Sequence, residues 1–345
     1  MLEEKTIEWV KEGEFGYCLT VDQTLIPFEY KKIKISSVED MYSAIKTMIV
    51  RGAPAIGIAG AHGCSLAAME LKDDDNFIEK LFKKFDYINS SRPTAVNLSW
   101  AIKSQSDIVE KNKDKAPSEI IDKLIENAIR LENEDIKINK KIGEFGASLV
   151  PKGAGILTHC NAGALATVGY GTALGVIRSA FKNDDTIKVF ADETRPRGQG
   201  AKITTYELLR DNIPVTLITD GMCSYFMKKG MINFVVTGAD RIASNGDSAN
   251  KIGTSTIAIA ANYYNIPFYI AAPKSTIDMS INSGDDIVIE LRDENEVKIV
   301  NGKPICPDGV NIINPSFDVT DNRLIKGIIT EYGVFKPDEL KKIFS

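Results

Sequence analysis

From Gly155 onward, short apolar runs alternate with helical stretches, and this rhythm constrains the fold more than any other feature of the chain. The runs cover residues 155–159, 187–191, 214–219, 234–237, 268–272 and 310–313, with helical segments at 172–181, 204–209, 224–227 and 254–264 between most of them. Strands that are apolar throughout are buried on both faces, so the pattern predicts a parallel sheet covered by helices. Two of the runs stop at a reactive side chain, Thr158-His159-Cys160 and Thr237-Gly238-Ala239-Asp240. In an open parallel sheet both would emerge at the carboxyl edge, where ligands bind. A thiol and a carboxylate converging there point to an acid/base pair.

The 345 residues exceed the ~250 that one hydrophobic core usually serves, which predicts two domains. Residues 6–10, 17–22 and 28–30 have the composition of short strands, broken by Gly13, Gly16 and Pro27. Helical patterns follow at 38–49, 54–69, 76–89 and 94–111. The polar stretch 111–117, ended by Pro117, is the best candidate linker, and a long helical pattern spans 118–146. The chain is expected to be α/β. Residues 1–116 form a smaller N-terminal domain of short antiparallel strands and helices. Residues 117–345 form a long linking helix and a Rossmann-like C-terminal domain.

Composition narrows the function. Hydrophobic residues make up 43% and charged residues 26%, as in ordinary globular proteins. The net charge of −5 and the lack of a basic stretch argue against a nucleic-acid partner, while leaving room for a local anion site. No apolar stretch reaches membrane-spanning length, and Met1-Leu2-Glu3-Glu4-Lys5 is too charged to open a signal peptide. Five scattered cysteines without a C-x-x-C pair suggest a reducing cytoplasm rather than a disulfide framework or zinc site. With only His62 and His159 available, a histidine-rich metal site is not expected, and the chemistry should proceed without metal.

Three loops suit an anionic ligand. Arg51-Gly52-Ala53-Pro54 offers a cationic fork, a close backbone approach and the free N–H groups of a helix start. Arg92-Pro93-Thr94 repeats the arrangement, and Asn250-Lys251-Ile252-Gly253-Thr254 supplies a lysine. Each taken singly also fits a helix cap with a solvated cation. A fourth loop, residues 192–200, crowds two acids, two arginines and Gln199 at a strand end, which reads in part as ligand contact. The Gln199 amide both donates and accepts, as sugar hydroxyls require. The glycines at 169, 171 and 175 are spaced G-x-G-x-x-x-G and begin well after the strand, unlike a dinucleotide fingerprint, so helix packing explains them better.

Cys160 and Asp240 each have a structural alternative. A free cysteine is most often a small buried hydrophobe, and successive strand residues face opposite ways, which separates His159 from Cys160 unless the strand has ended. Asp240 equally suits a helix cap or a partner for Arg241 or Lys251. As a general acid it needs a raised pKa, which burial supplies and a nearby lysine opposes.

These segments together resemble the 5-methylthioribose-1-phosphate isomerases of methionine salvage, a family related to the regulatory subunits of a eukaryotic translation-initiation exchange factor. The resemblance runs through nearly the whole chain, including Asp22-Gln23-Thr24-Leu25, Arg51-Gly52-Ala53-Pro54-Ala55-Ile56-Gly57, Ser91-Arg92-Pro93-Thr94-Ala95-Val96-Asn97-Leu98, Thr158-His159-Cys160-Asn161-Ala162-Gly163, Glu193-Thr194-Arg195-Pro196, Gln199-Gly200, Gly238-Ala239-Asp240-Arg241 and Asn250-Lys251-Ile252-Gly253-Thr254. It implies a metal-free, cofactor-free cytoplasmic homodimer acting on a small sugar 1-phosphate. The catalytic thiol would fall on Cys160 and the catalytic carboxylate on Asp240. Substrate contacts would fall on Arg51, Gly52, Ala53, Arg92, Gln199, Asn250 and Lys251.

One departure lies at Arg197-Gly198 and Lys202, where many such isomerases carry bulky apolar residues and an arginine. A 5-deoxyribose-1-phosphate isomerase, with a different C5 pocket, therefore stands as an alternative. So does a ribose-1,5-bisphosphate isomerase, with Arg197 a conceivable second phosphate ligand. A non-catalytic sugar-phosphate or nucleotide sensor is the alternative of another class.

Overall fold

Ile7–Val10 (β1), Tyr17–Val21 (β2) and Lys32–Ile35 (β3) form an antiparallel sheet whose register sets Trp9 opposite Cys18 and Cys18 opposite Ile35. The computed structural model describes residues 4–93 and 95–344, so the helix start expected at Thr94 lies outside the described residues. The strand expected at 28–30 is not formed. Phe28 and Glu29 instead donate their N–H groups to Leu25 O in a turn, and Phe28 is exposed. The third strand begins at Lys32, past the reach of that turn.

Four helices follow, Val38–Lys46 (α1), Ala53–Glu70 (α2), Phe77–Asn89 (α3) and Val96–Asn112 (α4). Ser37 caps α1 by accepting the Asp40 N–H. Helix α2 is buried on nearly every side, as expected of a helix that is apolar all round. Its Gly57 lies so near α4 that a Cβ there would come within 2.8 Å of Asn97 O. The first turns of α2 and α4 therefore lie side by side. A long helix, Pro117–Ala147 (α5), contributes Ile120, Ile121, Leu124, Ala128 and Leu131 to the core that these elements share.

The chain divides into two units, Met1–Lys140 with Ala162–Gly171, and Lys141–Asn161 with Thr172–Ser345. The polar stretch 111–117 thus joins two helices of the first unit, and the division falls inside α5. The residues that α5 places in the first core explain this, because a helix is assigned by what it buries rather than by the loop before it.

The second unit is built on a seven-stranded sheet. Its strands are Gly155–Thr158 (β4), Lys188–Asp192 (β5), Val215–Ile218 (β6), Phe234–Thr237 (β7), Phe268–Ala271 (β10), Gly327–Thr330 (β15) and Gly333–Phe335 (β16). They lie in the order β16-β15-β10-β7-β4-β5-β6, all parallel except the edge strand β16. Ala173–Asn183 (α6), Thr205–Arg210 (α7), Cys223–Lys228 (α8) and Thr254–Tyr263 (α9) connect them. A smaller sheet joins Arg241–Ala243 (β8), Ser248–Lys251 (β9), Ile277–Asp278 (β11) and Phe317–Thr320 (β14). A short excursion carries Asn295–Lys298 (α10), Ile299–Val300 (β12) and Lys303–Pro304 (β13).

The run at 310–313 is not a sheet strand. Val310 and Ile313 are exposed, and the sixth parallel strand is Gly327–Thr330, whose apolar core is only Ile328 and Ile329. From β4 the chain proceeds outward through β5 and β6, then returns to the other side of β4 with β7, β10 and β15. The topological switch point therefore lies between β4 and β7.

Candidate functional site

At that switch point, β4 runs into His159-Cys160 and β7 runs into Gly238-Ala239-Asp240. The two residues expected to carry chemistry thus sit at the carboxyl ends of neighbouring strands. Both are half-buried. Cys160 has left the strand and lies in the left-handed region, with φ 61°, a conformation uncommon for a residue with a side chain. Its backbone N–H donates to Thr194 Oγ1 at 2.8 Å, and its carbonyl accepts from Thr204 Oγ1 at 2.6 Å. Thr204 ends a π-helical turn, Gly200–Thr204, a distortion often found at functional sites.

Asp240 precedes a strand rather than a helix, which removes the helix-cap reading. Its N–H donates to Ala249 O at 2.9 Å, joining it to β9. Strand β9 ends in Asn250 and Lys251, both buried, paired in register with Asp318 and Phe317. Lys251 Nζ donates to Ser316 O at 2.8 Å and lies 4.5 Å from the centre of the Phe317 ring. Asn250 Nδ2 donates to Thr254 Oγ1 at 3.0 Å. The following Gly253 caps α9 with φ 102°, and a Cβ there would meet His159 Cε1 at 3.1 Å. Glycine is required on both counts.

The polar loop after β5 is mostly spent on its own architecture. Asp220 accepts the N–H groups of Thr194 and Arg195, each at 2.7 Å. The Arg195 guanidinium donates to Pro196 O and Val297 O, and Arg197 Nη1 pairs with Glu296 Oε1 at 2.7 Å. These hydrogen bonds commit much of the loop's charge to its own fold. Gln199 is different: it is buried, and its Oε1 has no hydrogen-bond partner. A buried amide oxygen without a donor is costly unless a ligand supplies one.

His159 is not the base of a Cys–His pair. Its Nδ1 lies 3.1 Å from Asp192 Oδ2 and its Nε2 lies 2.9 Å from the Ile252 carbonyl, so both ring nitrogens are occupied. Among the described residues, His159, Asp192 and Asp220 are the one group near enough to hold a metal ion. The donors are already committed: a ring nitrogen facing a carbonyl must carry hydrogen, and both Asp220 oxygens accept backbone N–H groups. The cluster reads as a hydrogen-bond network.

Sequence reasoning missed a second buried network beside Cys160. Asn161 Nδ2 donates to Glu207 Oε1 at 2.9 Å, Arg178 Nη2 donates to Glu207 Oε2 at 2.9 Å, and Arg178 Nε donates to Asp211 Oδ2 at 2.6 Å. The only signal was Asn161 within the Thr158–Gly163 block, since Arg178 looks like any helix arginine.

Within the first unit, Arg51 is buried at the start of α2 and Gly52 caps that helix with φ 94°. A Cβ on Gly52 would fall 2.5 Å from the Ala166 backbone, so that position also needs glycine. Arg92 precedes α4, whose first turn packs beside that of α2. The two arginine-bearing helix starts therefore share one end of the first unit. No helix of the described residues is long and apolar enough to cross a membrane.

An open parallel sheet with a thiol and a carboxylate at its switch point defines a ligand-binding, doubly wound α/β protein. The model of the initiation factor 2 subunit family matches residues 49–337. The chain is 50% identical over 341 residues to the methylthioribose-1-phosphate isomerase of Geotalea uraniireducens, covering 98% of this chain and 97% of that one. A solved 5-methylthioribose 1-phosphate isomerase from Pyrococcus horikoshii OT3 matches with a TM-score of 0.88 and 40% identity, over 98% of this chain and 94% of that one. A structure described as translation initiation factor eIF-2B, subunit delta, from A. fulgidus matches with a TM-score of 0.85 and 42% identity, over 98% and 97% of the two chains. The chain belongs to the initiation factor 2 subunit family and, within it, to the methylthioribose-1-phosphate isomerases.

Proposed function

We propose that this chain converts 5-methylthioribose 1-phosphate to 5-methylthioribulose 1-phosphate, with Cys160 and Asp240 as its catalytic pair. The observation that carries the assignment of residues is the placement of both at neighbouring strand ends of the switch point. A sugar phosphorylated at C1 has no free anomeric hydroxyl and does not open to an aldehyde by itself. In this reading Asp240 protonates the ring oxygen and handles the C2 hydroxyl proton. Cys160 shuttles a proton or steadies the intermediate while hydrogen moves from C2 to C1. General acid–base help is worth about 10²–10⁴-fold, so positioning must supply much of the remainder.

The substrate is proposed to contact Arg51, Gly52, Ala53, Arg92, Gln199, Asn250 and Lys251. The unpartnered Gln199 Oε1 supports its role as acceptor for a sugar hydroxyl. Glu296 already neutralises Arg197, which disfavours a second phosphate there and so favours methylthioribose over ribose 1,5-bisphosphate. The working form is proposed to be a homodimer in the cytoplasm, where a reducing environment keeps Cys160 a thiol.

Turnover of 5-methylthioribose 1-phosphate, 5-deoxyribose 1-phosphate and ribose 1,5-bisphosphate in the presence of chelator tests the reading. The highest kcat/KM is expected for the methylthio sugar. Preference for either other sugar would reassign the substrate, and tight binding without turnover would make the chain a sensor.

A further inference from the structure

We propose that His159 is a positioning residue for this reaction, a protonated strut that ties the strand end bearing Cys160 to the Asp192 loop and to the loop bearing Asn250 and Lys251. This rests on the functional reading above.

Three loops meet at the imidazole. One ring nitrogen engages Asp192, which ends β5, and the other engages the carbonyl of Ile252, the residue after Lys251. The ring packs against Gly253, where a Cβ would intrude. The same loops are laced by Thr194, whose Oγ1 accepts from Cys160 and donates to Asp192 O. Cys160 follows His159 directly, so movement of the imidazole moves the thiol.

The strut needs its proton. A carbonyl only accepts, so Nε2 carries hydrogen, while Asp192 Oδ2 as a carboxylate demands hydrogen on Nδ1 as well. Neutral imidazole has one N–H, and whichever contact loses it becomes lone pair against lone pair.

The titratable groups facing the ring are acidic. They are Asp192 from β5, Asp220 after β6, and Asp318 from β14, which accepts the Gly253 and Ser255 N–H groups; Glu193 and the Cys223 thiol face Asp192 in turn. Burial opposes a charged imidazole, but the Asp192 hydrogen bond and charge outweigh it and hold His159 above its ordinary range. Asp192 is itself pushed up to about 6 by burial, with His159 pulling the other way. One proton shared by the pair is the consistent description. It is held at low pH and lost as pH rises through the raised histidine value.

Because His62 is the only other histidine, imidazole nitrogen NMR of the intact protein reads His159 directly. The expected spectrum at pH 6 shows both His159 nitrogens protonated. In Asp192→Asn, the side-chain amide donates to Nδ1 and the ring becomes neutral with hydrogen on Nε2. Asp192→Ala is expected to lower kcat about 10- to 100-fold with KM little changed, the size associated with misplacing a reacting group. Asp192→Asn should recover much of that loss and shed the histidine-dependent alkaline limb of the kcat profile.

A neutral His159 in the wild type at pH 6 would overturn the strut, and this readout needs no turnover and no variant. A kcat profile of Asp192→Ala that superposes on wild type would overturn its role in the reaction. Should the alanine variant fail to fold, the spectrum and pH profile of Asp192→Asn decide the matter, an unchanged alkaline limb refuting the proposal. Failure of the wild type on every sugar phosphate would instead strike the functional reading, while the spectrum would still test the strut.

Discussion

Thr194 Oγ1 accepts the backbone N–H of Cys160 at 2.8 Å, and the two residues share the left-handed conformation, with φ 63° and 61°. Two chain segments in a sparsely populated conformation are thus locked to one another at the proposed thiol. Thr194→Val keeps the shape and removes the acceptor. Since Cys160 would lose its backbone anchor, kcat is expected to fall about 10- to 100-fold, with a stability loss of about 1–3 kcal/mol for the orphaned N–H. Steady-state kinetics alongside urea denaturation checks both numbers.

Gln199→Leu should separate activity from stability. The buried Oε1 has no partner in the protein, so removing it costs the fold nothing and relieves an unsatisfied acceptor. If that oxygen meets a sugar hydroxyl, kcat/KM falls about 10- to 100-fold. Loss of activity with an equal or higher denaturation midpoint is the expected pair of results.

Arg178 lies buried between Glu207 and Asp211. Removing it strands two buried carboxylates, and breaking a buried pair typically costs about 3–5 kcal/mol. Arg178→Met should therefore lower stability by that order, and adding Asp211→Asn should restore part of it. Calorimetry on the single and double variants measures the coupling.

Asp135, on α5, is buried, and burial pushes its carboxyl up to about 7 against the opposing N–H of Val168, which donates to Oδ2 at 2.8 Å. The folded protein thus holds a proton that the unfolded chain has released by pH ~4. Stability consequently falls as pH rises from about 4 to about 7, with each pKa unit worth about 1.4 kcal/mol. Asp135→Asn should flatten that slope, so its stability relative to wild type rises between pH 5 and pH 8. Denaturant titrations at the two pH values test the sign.

The second unit was legible because its strands are buried on both faces. Phe234–Thr237 reads as a strand in any frame, and Gly155–Thr158 ends one residue short of the run in the sequence. The mistakes have the same physical origin. Gly327–Thr330 holds just two large apolar residues between a glycine and a threonine, while the more apolar run at 310–313 stays outside the sheet. The strand ends of Cys160 and Asp240 were visible, and so was Gln199. What stayed hidden was the support. Thr194, Thr204 and Glu207 gain meaning only when distant segments meet, and the arginines of the loop at 192–200 turned out to be partnered by Val297 and Glu296, about a hundred residues away.

The central claim is that Asp240 and Cys160 act as a pair. The direct test is kcat for 5-methylthioribose 1-phosphate with Asp240→Asn and Cys160→Ser, each confirmed folded by circular dichroism. Loss of at least about 10²-fold in both is predicted, the lower range for general acid–base catalysis. Near-wild-type turnover by a folded Asp240→Asn protein would contradict the account.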